Sequence, residues 1–438
     1  MKKMYSLVLL ALLLFAGCKP SADPALLGDA QLLHRNMKQL TEVIIHDAFS
    51  PPVASRIYSY TSVAAYEALV HSKPGFRSVA TQLHGFGAMP QPEAGKDYNY
   101  LLAASKAFFT VAEKITFSKD SLINYEKGLY QQFASLLDED IYQRSLAYGE
   151  AIGNKVLERT TRDMYKETRG MSKFLGTGQA GKWKPTAPDY LDAAEPHWQR
   201  ILPMVLDSSS QFKCPPPPAF STDTASAFFR YANEVYTTTR NLSPEQETIA
   251  RYWDDNPFVM EHAGHTMYAN KKITPVGHWI GITGIAAGMK KLDAVETAEA
   301  YLMTSVAIFD TFIGCWEEKF RTQVVRPITV INDHIDRNWQ PMLQTPAFPE
   351  YTSGHSGISS AAATVLTARF GPDFAFEDTS DLEYIGMKRR FSSFADAAAE
   401  ASISRVYGGI HYRSGIEAGA AQGTKVGHYI WDKIKTRQ

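Results

Sequence analysis

Residues 348–370, FPEYTSGHSGISSAAATVLTARF, contain the feature on which the interpretation of this chain depends. Ser353, Gly354 and His355 stand directly before a run rich in Ala, Ser, Leu and Val, which is typical of a helix. One interpretation is an N-cap, in which Thr352 or Ser353 accepts from a free amide and Gly354 belongs to the turn. The other is an anion site, because a helix N-terminus offers free N–H groups and the positive end of the helix dipole. The segment alone does not decide between them.

Helical periodicity extends outward from this segment over most of the chain. Residues 25–46 carry apolar side chains at three- and four-residue spacings, and Pro51 with Pro52 is expected to open a helix that runs to Val70. Similar patterns predict further helices at about 99–116, 119–137, 140–165, 223–239, 243–253, 274–320, 353–369, 379–407 and 413–435. No stretch shows a convincing two-residue alternation of the kind that a half-buried strand needs. The sequence therefore predicts an all-α, many-helix bundle in residues 18–438.

Two stretches depart from simple helical periodicity. The 274–320 pattern is expected to break, since Gly288 can end one helix and Asp293 with Glu296 can cap the next. Residues 169–222 are rich in Gly, Pro and Trp and include the prolines of CPPPPAFS. So long an irregular connection is unusual in a compact domain, so we expect it to cover the helices or to serve a function.

Composition places few limits on function. The 438 residues include 45 Lys and Arg against 46 Asp and Glu, and 45% are hydrophobic. The chain can bury a large core, and its balanced charge gives no support for a nucleic-acid partner.

The N-terminus, MKKMYSLVLLALLLFAGCKP, has the features of an export signal. Lys2 and Lys3 precede an apolar run at 7–15 that is too short to span a membrane comfortably. The run ends in LFAGC, which resembles a bacterial lipobox whose cysteine becomes the lipidated first residue. We therefore expect residues 1–17 to be a signal peptide and Cys18 to anchor an exported lipoprotein of the cell envelope, in the periplasm or at the outer membrane. An ordinary cleaved signal peptide is the alternative.

Two further segments carry candidate binding residues. In CWEEKFRTQVVRPITV, Lys319 and Arg326 are nearly two helical turns apart, so one helix would project both from one face. Pro327 is expected to end that helix and to hold Arg326 extended. A pair of cations on a solvated helix face is the simpler interpretation.

The last segment, SISRVYGGIHYRSGIEAG, contains Arg405 and His411. On a continuous helix their side chains would point about 120° apart, so they share a site only if the helix breaks between them. Gly408 and Gly409 lie where such a break is needed.

Together these segments supply three cations, two hydrogen-bond donors and two histidines. Such a set suits a tetrahedral oxyanion, because arginine binds oxyanions with two N–H groups and helix-terminal amides add to it. It suits a metal cation badly, since three positive charges would repel the ion.

The three-part pattern Lys-x6-Arg-Pro, Ser-Gly-His and Ser-Arg-x5-His resembles the signature shared by vanadium-dependent haloperoxidases and type-2 phosphatidic-acid-type acid phosphatases. The N-terminal stretch SPPVASRIYSYTSVAAYEAL and the EPHW at 195–198 are similar to the haloperoxidase branch. Two positions depart from the signature. Thr352 replaces a usual proline, and Gly415 stands where phosphatases commonly have an aspartate that orients the last histidine. Glu417, two residues further on, is a possible substitute.

The resemblance implies a haloperoxidase that oxidises halide with hydrogen peroxide on a vanadate cofactor, held in the C-terminal half at about 274–438. His411 would be the vanadium ligand, His355 the acid–base group, and Lys319 a catalytic as well as a binding residue. Trp316 and Phe348 would line the halide approach, or simply pack in the core. The resemblance favours iodide, with bromide possible and chloride disfavoured. The residues that it implies for vanadate binding are Lys319, Arg326, Ser353, Gly354, His355, Arg405 and His411.

Three alternatives remain. An exported acid phosphatase could use the same residues, with His411 attacking phosphorus. A non-catalytic envelope lipoprotein is a different class, which the clustered cations disfavour. Glu261, His262, His265 and His278 have spacings that zinc ligands can show, but the absence of a His-Glu-x-x-His motif favours structural histidines. By chain order in the family, the pair at 254–255, Asp-Asp, is expected to hold one of the arginines.

Overall fold

The computed structural model describes residues 22–257, 259–263, 265–270 and 272–438. The predicted signal peptide and Cys18 lie outside the described residues. The α-helices of the described part are α1 (Gln31–His46), α2 (Pro51–Leu69), α3 (Tyr100–Ile115), α4 (Lys119–Ala134), α5 (Glu139–Thr160), α6 (Tyr165–Arg169), α7 (Ala227–Arg240), α8 (Pro244–Tyr252), α9 (Pro275–Met289), α10 (Ala294–Thr322), α11 (Pro327–His334), α12 (Gly354–Phe370), α13 (Leu382–Ile385), α14 (Phe394–Tyr407) and α15 (Arg413–Lys433). The predicted all-α class is confirmed.

The expectation that the chain has no strands is wrong in detail. Two short antiparallel hairpins accompany the helices: β1 (Val259–Ala263) with β2 (Thr266–Asn270), and β3 (Phe376–Asp378) with β4 (Arg389–Phe391). The second hairpin lies partly inside the segment 379–407, for which the sequence predicted one helix.

The central element is α10, whose N-terminus is closed by the predicted capping box. Asp293 Oδ1 accepts from the Glu296 amide at 3.0 Å, and α9 ends at Met289, as the predicted break requires. One side of α10 packs against α2, and other faces pack against α12 and α15. One cluster of buried apolar side chains runs through the whole arrangement. Helix α10 thus connects the N-terminal helix α2 with the C-terminal helices α12 and α15.

Glycines set the close approach of α12 and α15. Gly415, Gly419, Gly423 and Gly427 recur at every fourth position of α15. A Cβ at Gly423 would meet the carbonyl oxygen of Gly357 at 1.8 Å. The two backbones therefore touch, and α15 has no room to move closer to α12.

The irregular segment 169–222 wraps over the helices, as expected. Buried Asp310 of α10 accepts from the amides of Met204, Val205 and Leu206 at 2.7, 2.8 and 2.9 Å, which fixes the segment without regular structure. Cys214 and Cys315 are buried free thiols. Among the described helices, none has both the length and the apolar character that a membrane span requires.

Candidate active site

A cavity of about 350 Å³ lies where the three sequence motifs meet. Its inner end is lined by Trp316, Phe348, Gly354, His355, Arg405 and His411. Other walls come from residues 50–52 at the start of α2 and from residues 191–194 of the irregular segment. Lys319, Arg326 and Ser353 are fully buried, and their contacts place them directly behind this lining. The structure thus brings together all seven residues that the sequence grouped.

The Ser353-Gly354-His355 segment forms the N-cap that one sequence interpretation predicted, and it also borders the cavity. Ser353 is the N-cap of α12, and its Oγ accepts from the Ser356 amide at 3.3 Å. Gly354, the first helical residue, lines the cavity, and a Cβ there would meet only Phe312 and Trp316 at ordinary contact distances. The helix N-terminus is therefore both capped and open to an anion.

Arg326 reaches the site by a route different from the one predicted. Because α10 ends at Thr322, Lys319 and Arg326 do not share a helix face. Pro327 also does not simply end a helix, since it opens α11, with Arg326 as the extended residue before it (φ −75°, ψ 151°). The main chain therefore turns between the two cations and brings both to the site.

The Arg326 guanidinium is fully buried and only partly satisfied. Its Nε donates to the Phe348 carbonyl at 2.8 Å, and its Nη1 donates to the Ile410 carbonyl at 2.7 Å and to His411 Nε2 at 3.1 Å. Nη2 has no partner in the described part of the chain. Burial lowers the pKa of Arg326 to about 10. An unused N–H pair on a buried cation is a donor set suited to an anion.

Lys319 is buried beneath the aromatic wall. Its Nζ donates to the carbonyls of Pro349, Glu350 and Thr352 at 2.9, 3.0 and 2.5 Å. Burial lowers the pKa of Lys319 to about 7, although three carbonyl acceptors match the three N–H groups of the charged form. The nitrogen lies 5.0 Å from the Phe348 ring centroid.

The predicted helix break between Arg405 and His411 is present. Helix α14 ends at Tyr407, and Gly409 has a φ of +79°, which an L side chain rarely adopts. Arg405 Nε donates to Ser404 Oγ at 3.0 Å. Burial lowers the pKa of Arg405 to about 10.

The Asp254–Asp255 pair holds Arg405 differently from the expectation. Arg405 donates to the carbonyls of Trp253 and Asp254, not to a carboxylate. The Asp254 carboxylate instead accepts from Lys272 at 2.7 Å. The acidic pair still lies beside Arg405, but backbone carbonyl oxygens, not the carboxylates, orient the guanidinium.

Glu350 is a site residue that the sequence interpretation missed. Its Oε1 accepts from His411 Nδ1 at 2.7 Å and from the Tyr412 amide at 3.2 Å. Since an arginine can only donate, the contact of Arg326 with Nε2 leaves the ring proton on Nδ1. Glu350 therefore fixes a His411 tautomer whose Nε2 carries a lone pair.

Gly415 is glycine because Glu350 occupies the space beside it. A Cβ at Gly415 would meet Glu350 Oε1 at 2.0 Å. The suggested substitute, Glu417, is exposed and lies away from His411. The carboxylate partner of His411 thus comes from residue 350 instead of 415 or 417.

Burial also controls the protonation of the groups around His411. Burial raises the pKa of Glu350 to about 7, against the lowering effect of Arg326 and Lys319. Burial and the neighbouring cations hold the pKa values of His355 and His411 well below the ordinary range. Both histidines are therefore neutral near pH 7, as a ligand nitrogen and a proton acceptor require.

Trp316 and Phe348 both pack and line the cavity. Their ring centroids are 5.1 Å apart, and Trp316 Nε1 donates to the Ala194 carbonyl at 3.3 Å. Of the zinc-like residues, His278 is fully buried in α9 and His265 is exposed on the first hairpin. The side chains of Glu261 and His262 lie outside the described residues.

These features define a class: a helical-bundle enzyme with a buried oxyanion pocket built from three cations, a helix N-terminus and a carboxylate-held histidine. Comparisons with known proteins identify the branch. The family model described as the VCPO second helical-bundle domain matches residues 299–438. The solved structure of the first bacterial vanadium-dependent iodoperoxidase is 44% identical, covers 93% of this chain and 97% of its own, and superposes with a TM-score of 0.89. The chain belongs to the vanadium-dependent haloperoxidases.

More distant structures agree on the fold. Holo- and apo-type bacterial vanadium-dependent chloroperoxidases, each 16% identical, cover 88% of this chain and 93% and 95% of their own, with TM-scores of 0.68 and 0.65. A search of curated proteins finds no match. Because the chain belongs to the vanadium-dependent haloperoxidases, it is an enzyme, an oxidoreductase that uses hydrogen peroxide and halide with vanadate as cofactor.

Proposed function

We propose that this enzyme oxidises iodide with hydrogen peroxide, accepts bromide more slowly and uses chloride poorly. One observation carries the assignment of the site: buried Arg326 contacts His411 Nε2 through Nη1 at 3.1 Å, while its Nη2 has no hydrogen-bond partner among the described residues. The residues proposed to hold vanadate are Lys319, Arg326, Ser353, Gly354, His355, Arg405 and His411.

The donor set fits an oxyanion of this charge. The three buried cations donate to backbone carbonyls, to Ser404 and to His411, and no carboxylate of the described residues accepts a hydrogen bond from them. A bound anion would therefore offset charge that is otherwise poorly compensated. Vanadate, when bound, supplies a Lewis-acid centre that polarises hydrogen peroxide for attack by halide. The chain's own task is to hold that anion, exclude water and move protons.

Each group has a distinct task. His411 offers Nε2 as the ligand once Arg326 gives up its 3.1 Å hydrogen bond to that nitrogen and turns its N–H groups to the anion. Glu350 keeps the proton on Nδ1 throughout. His355, neutral and at the cavity wall, would accept a proton when hydrogen peroxide binds and would donate it to hydroxide, which then leaves as water.

The preference for iodide is proposed from the aromatic wall. Trp316, Phe348 and Phe312 present ring faces and edges to the cavity, which replace water poorly around a strongly hydrated ion. Desolvating chloride is more unfavourable than desolvating bromide or iodide. The relative of 44% identity is itself an iodoperoxidase, which supports the same choice.

Hydrolysis of phosphate esters is a second candidate activity. A phosphohistidine mechanism needs a carboxylate that orients the nucleophilic histidine, and the sequence has glycine at position 415, where phosphatases commonly carry it. Glu350 supplies such a carboxylate to His411. Phosphate is nearly isosteric with vanadate, so the same cations would bind it. We propose this activity for the vanadate-free protein only.

We also propose that the enzyme is exported and held at the cell envelope by a lipid on Cys18. The proposal rests on the LFAGC sequence at 14–18.

The test uses one vanadate-free preparation in phosphate-free buffer. Oxidation of iodide, bromide and chloride by peroxide is measured before and after addition of orthovanadate, and aryl-phosphate hydrolysis is measured in parallel. We expect vanadate to switch on iodide oxidation and to suppress hydrolysis. Millimolar phosphate should slow this activation by competing for the pocket. Faster turnover of chloride than of iodide would refute the halide assignment, and hydrolysis without any halide oxidation would favour the phosphatase.

A further inference from the structure

A second cluster of ionisable groups lies behind the active-site cavity, centred on His278. This fully buried histidine of α9 donates from Nδ1 to Asp255 at 3.1 Å and from Nε2 to Asp378 at 2.9 Å. Asp381 Oδ2 lies 3.4 Å from the same Nδ1. Carboxylates accept hydrogen bonds, so protons on both ring nitrogens make His278 an imidazolium. Its ring stacks on the Trp253 indole with centroids 4.4 Å apart, which also suits a cation.

The protonation balance agrees with this geometry. Burial alone would lower the pKa of His278, but Asp255, Asp381 and Asp378 outweigh it and raise the pKa well above the ordinary value. Burial raises the pKa of Asp381 to about 7, so this carboxyl is the group of the cluster that can hold an extra proton. Against the raising effect of burial, His278 and Ser380 lower the pKa of Asp378, which therefore stays ionised beside the imidazolium.

Asp255 connects this cluster to the active site. It lines the cavity, and its Oδ2 lies 3.9 Å from His355 Nε2, a buried nitrogen without a partner in the described residues. Its backbone has a φ of +44°, an uncommon conformation for a residue other than glycine. The carbonyls of the two preceding residues hold Arg405. Residues 253–255 therefore touch both His355 and Arg405 while bonding to His278.

The far side of His278 is firmly anchored. Asp378 of β3 accepts from the Ser380 amide at 3.0 Å as well as from His278. The side chains of Asp255, Asp378 and His278 have almost no solvent exposure. A fixed acceptor on one ring nitrogen fixes the direction of the other, and hence the position of Asp255.

We propose that His278 is a positioning residue for His355 and Arg405, acting through Asp255 and the backbone of residues 253–255. The proposal rests on the proposed function, since it takes His355 to be the proton acceptor of the reaction. When His355 receives a proton, the Asp255 carboxylate is the acceptor that stabilises the charge. His278 keeps this carboxylate buried and correctly directed.

A cation is the competing explanation for the cluster. Donor atoms of Asp255, His278 and Asp381 lie within 4.8 Å of one another, a spacing that a divalent ion could use. The hydrogen-bond distances on both ring nitrogens favour protons instead, because a metal on Nδ1 would replace the hydrogen that binds Asp255. Metal analysis of the purified protein distinguishes the two.

The test compares His278→Gln and Asp378→Asn with the control His34→Gln in the vanadate-loaded enzyme. His34 is a largely buried histidine that hydrogen-bonds Tyr301 at 2.6 Å and does not line the cavity. We expect kcat to fall about 10- to 100-fold in His278→Gln, with the halide KM little changed. Asp378→Asn keeps a hydrogen-bond acceptor for His278 Nε2, so its kcat should fall less than that of His278→Gln. The kcat of the control should match wild type. The ring-nitrogen NMR signals of His278 should show both nitrogens protonated at pH 8, a signature that packing alone would not produce.

Several results would overturn the proposal. One is a His278→Gln enzyme with wild-type melting temperature and a kcat within about twofold of wild type. If that variant does not fold, a folded Asp378→Asn enzyme with unchanged kcat shows that the cluster is only structural. About one equivalent of divalent metal in wild type, lost with His278, assigns the cluster to a cation. A wild-type enzyme that oxidises bromide but not iodide refutes only the halide preference, and the variants are then compared with bromide.

Discussion

Gly415→Ala is expected to disable the enzyme indirectly, because the new methyl group would displace the Glu350 carboxylate from His411. The new Cβ would lie 2.0 Å from Glu350 Oε1, whereas ordinary contact begins near 3.4 Å. Helix α15 cannot shift towards α12, and shifting away would break the close backbone packing at Gly419 and Gly423. The carboxylate must therefore shift by about 1.4 Å, the difference between those two distances. Its 2.7 Å hydrogen bond to His411 then breaks.

The size of the effect follows from the bond that is lost. A hydrogen bond to a charged group contributes about 1.5–3 kcal/mol, and losing the partner of a metal-binding histidine lowers metal affinity or activity about 10- to 100-fold. We expect losses of that order in the affinity of the apo-protein for vanadate and in kcat/KM. The assay is halide oxidation titrated with orthovanadate, with the melting temperature recorded for each variant.

Two controls make this result specific. Gly288→Ala, on α9, meets nothing within 4 Å and should leave activity unchanged while stabilising the helix by up to about 1 kcal/mol. Glu350→Ala removes the displaced group, so adding Gly415→Ala to it should cause little further loss. A Gly415→Ala enzyme with wild-type vanadate affinity would refute the reasoning. Fully additive losses in the double variant would also do so.

Three further predictions concern single residues. His411→Ala should abolish vanadate-dependent halide oxidation, while His428→Ala, on the helix α15 that follows His411, retains it; near wild-type activity in the former would remove His411 from the site. Lys319 has a pKa of about 7 in the fold against 10.5 when exposed, so the unfolded chain binds more protons between these values and the free energy of unfolding should rise with pH. Denaturant titrations should show that rise in the vanadate-free protein and not in Lys319→Met, and a flat wild-type curve would contradict it. Cys18→Ser should move the protein from the membrane to the soluble fraction, and continued membrane association would argue against a lipid anchor.

Helix positions and the three-part site pattern could be predicted because each rests on local sequence. The capping box at Asp293 and the break at Gly408–Gly409 are written in neighbouring residues, and both are present. The start of α11 was missed because Pro327 can end one helix or begin another, and only the packing of the chain decides. The short hairpins were missed because pairings of three and five residues leave almost no periodic signal.

Glu350 could not be found from spacing, because its contact with His411 joins positions 61 residues apart. A signal was nevertheless present at Gly415. It begins the four-residue glycine repeat of α15, and a glycine where a carboxylate is usual indicates that something else fills the space. The orientation of Arg405 by backbone carbonyls could not be predicted either, because it depends on tertiary contacts and not on a pattern of side chains.

The walls of the cavity come from parts of the chain remote from the residues proposed to hold the anion. Those seven residues all lie between positions 319 and 411, whereas the outer walls include residues 50–52 and residues 191, 192 and 194. Substitutions in the outer stretches can therefore alter which halide or organic molecule enters, without disturbing the chemistry. Selectivity in such an enzyme is free to diverge while the reaction class is conserved. In a relative, the C-terminal motifs identify the reaction, whereas the residues that form the outer cavity walls determine which substrates enter.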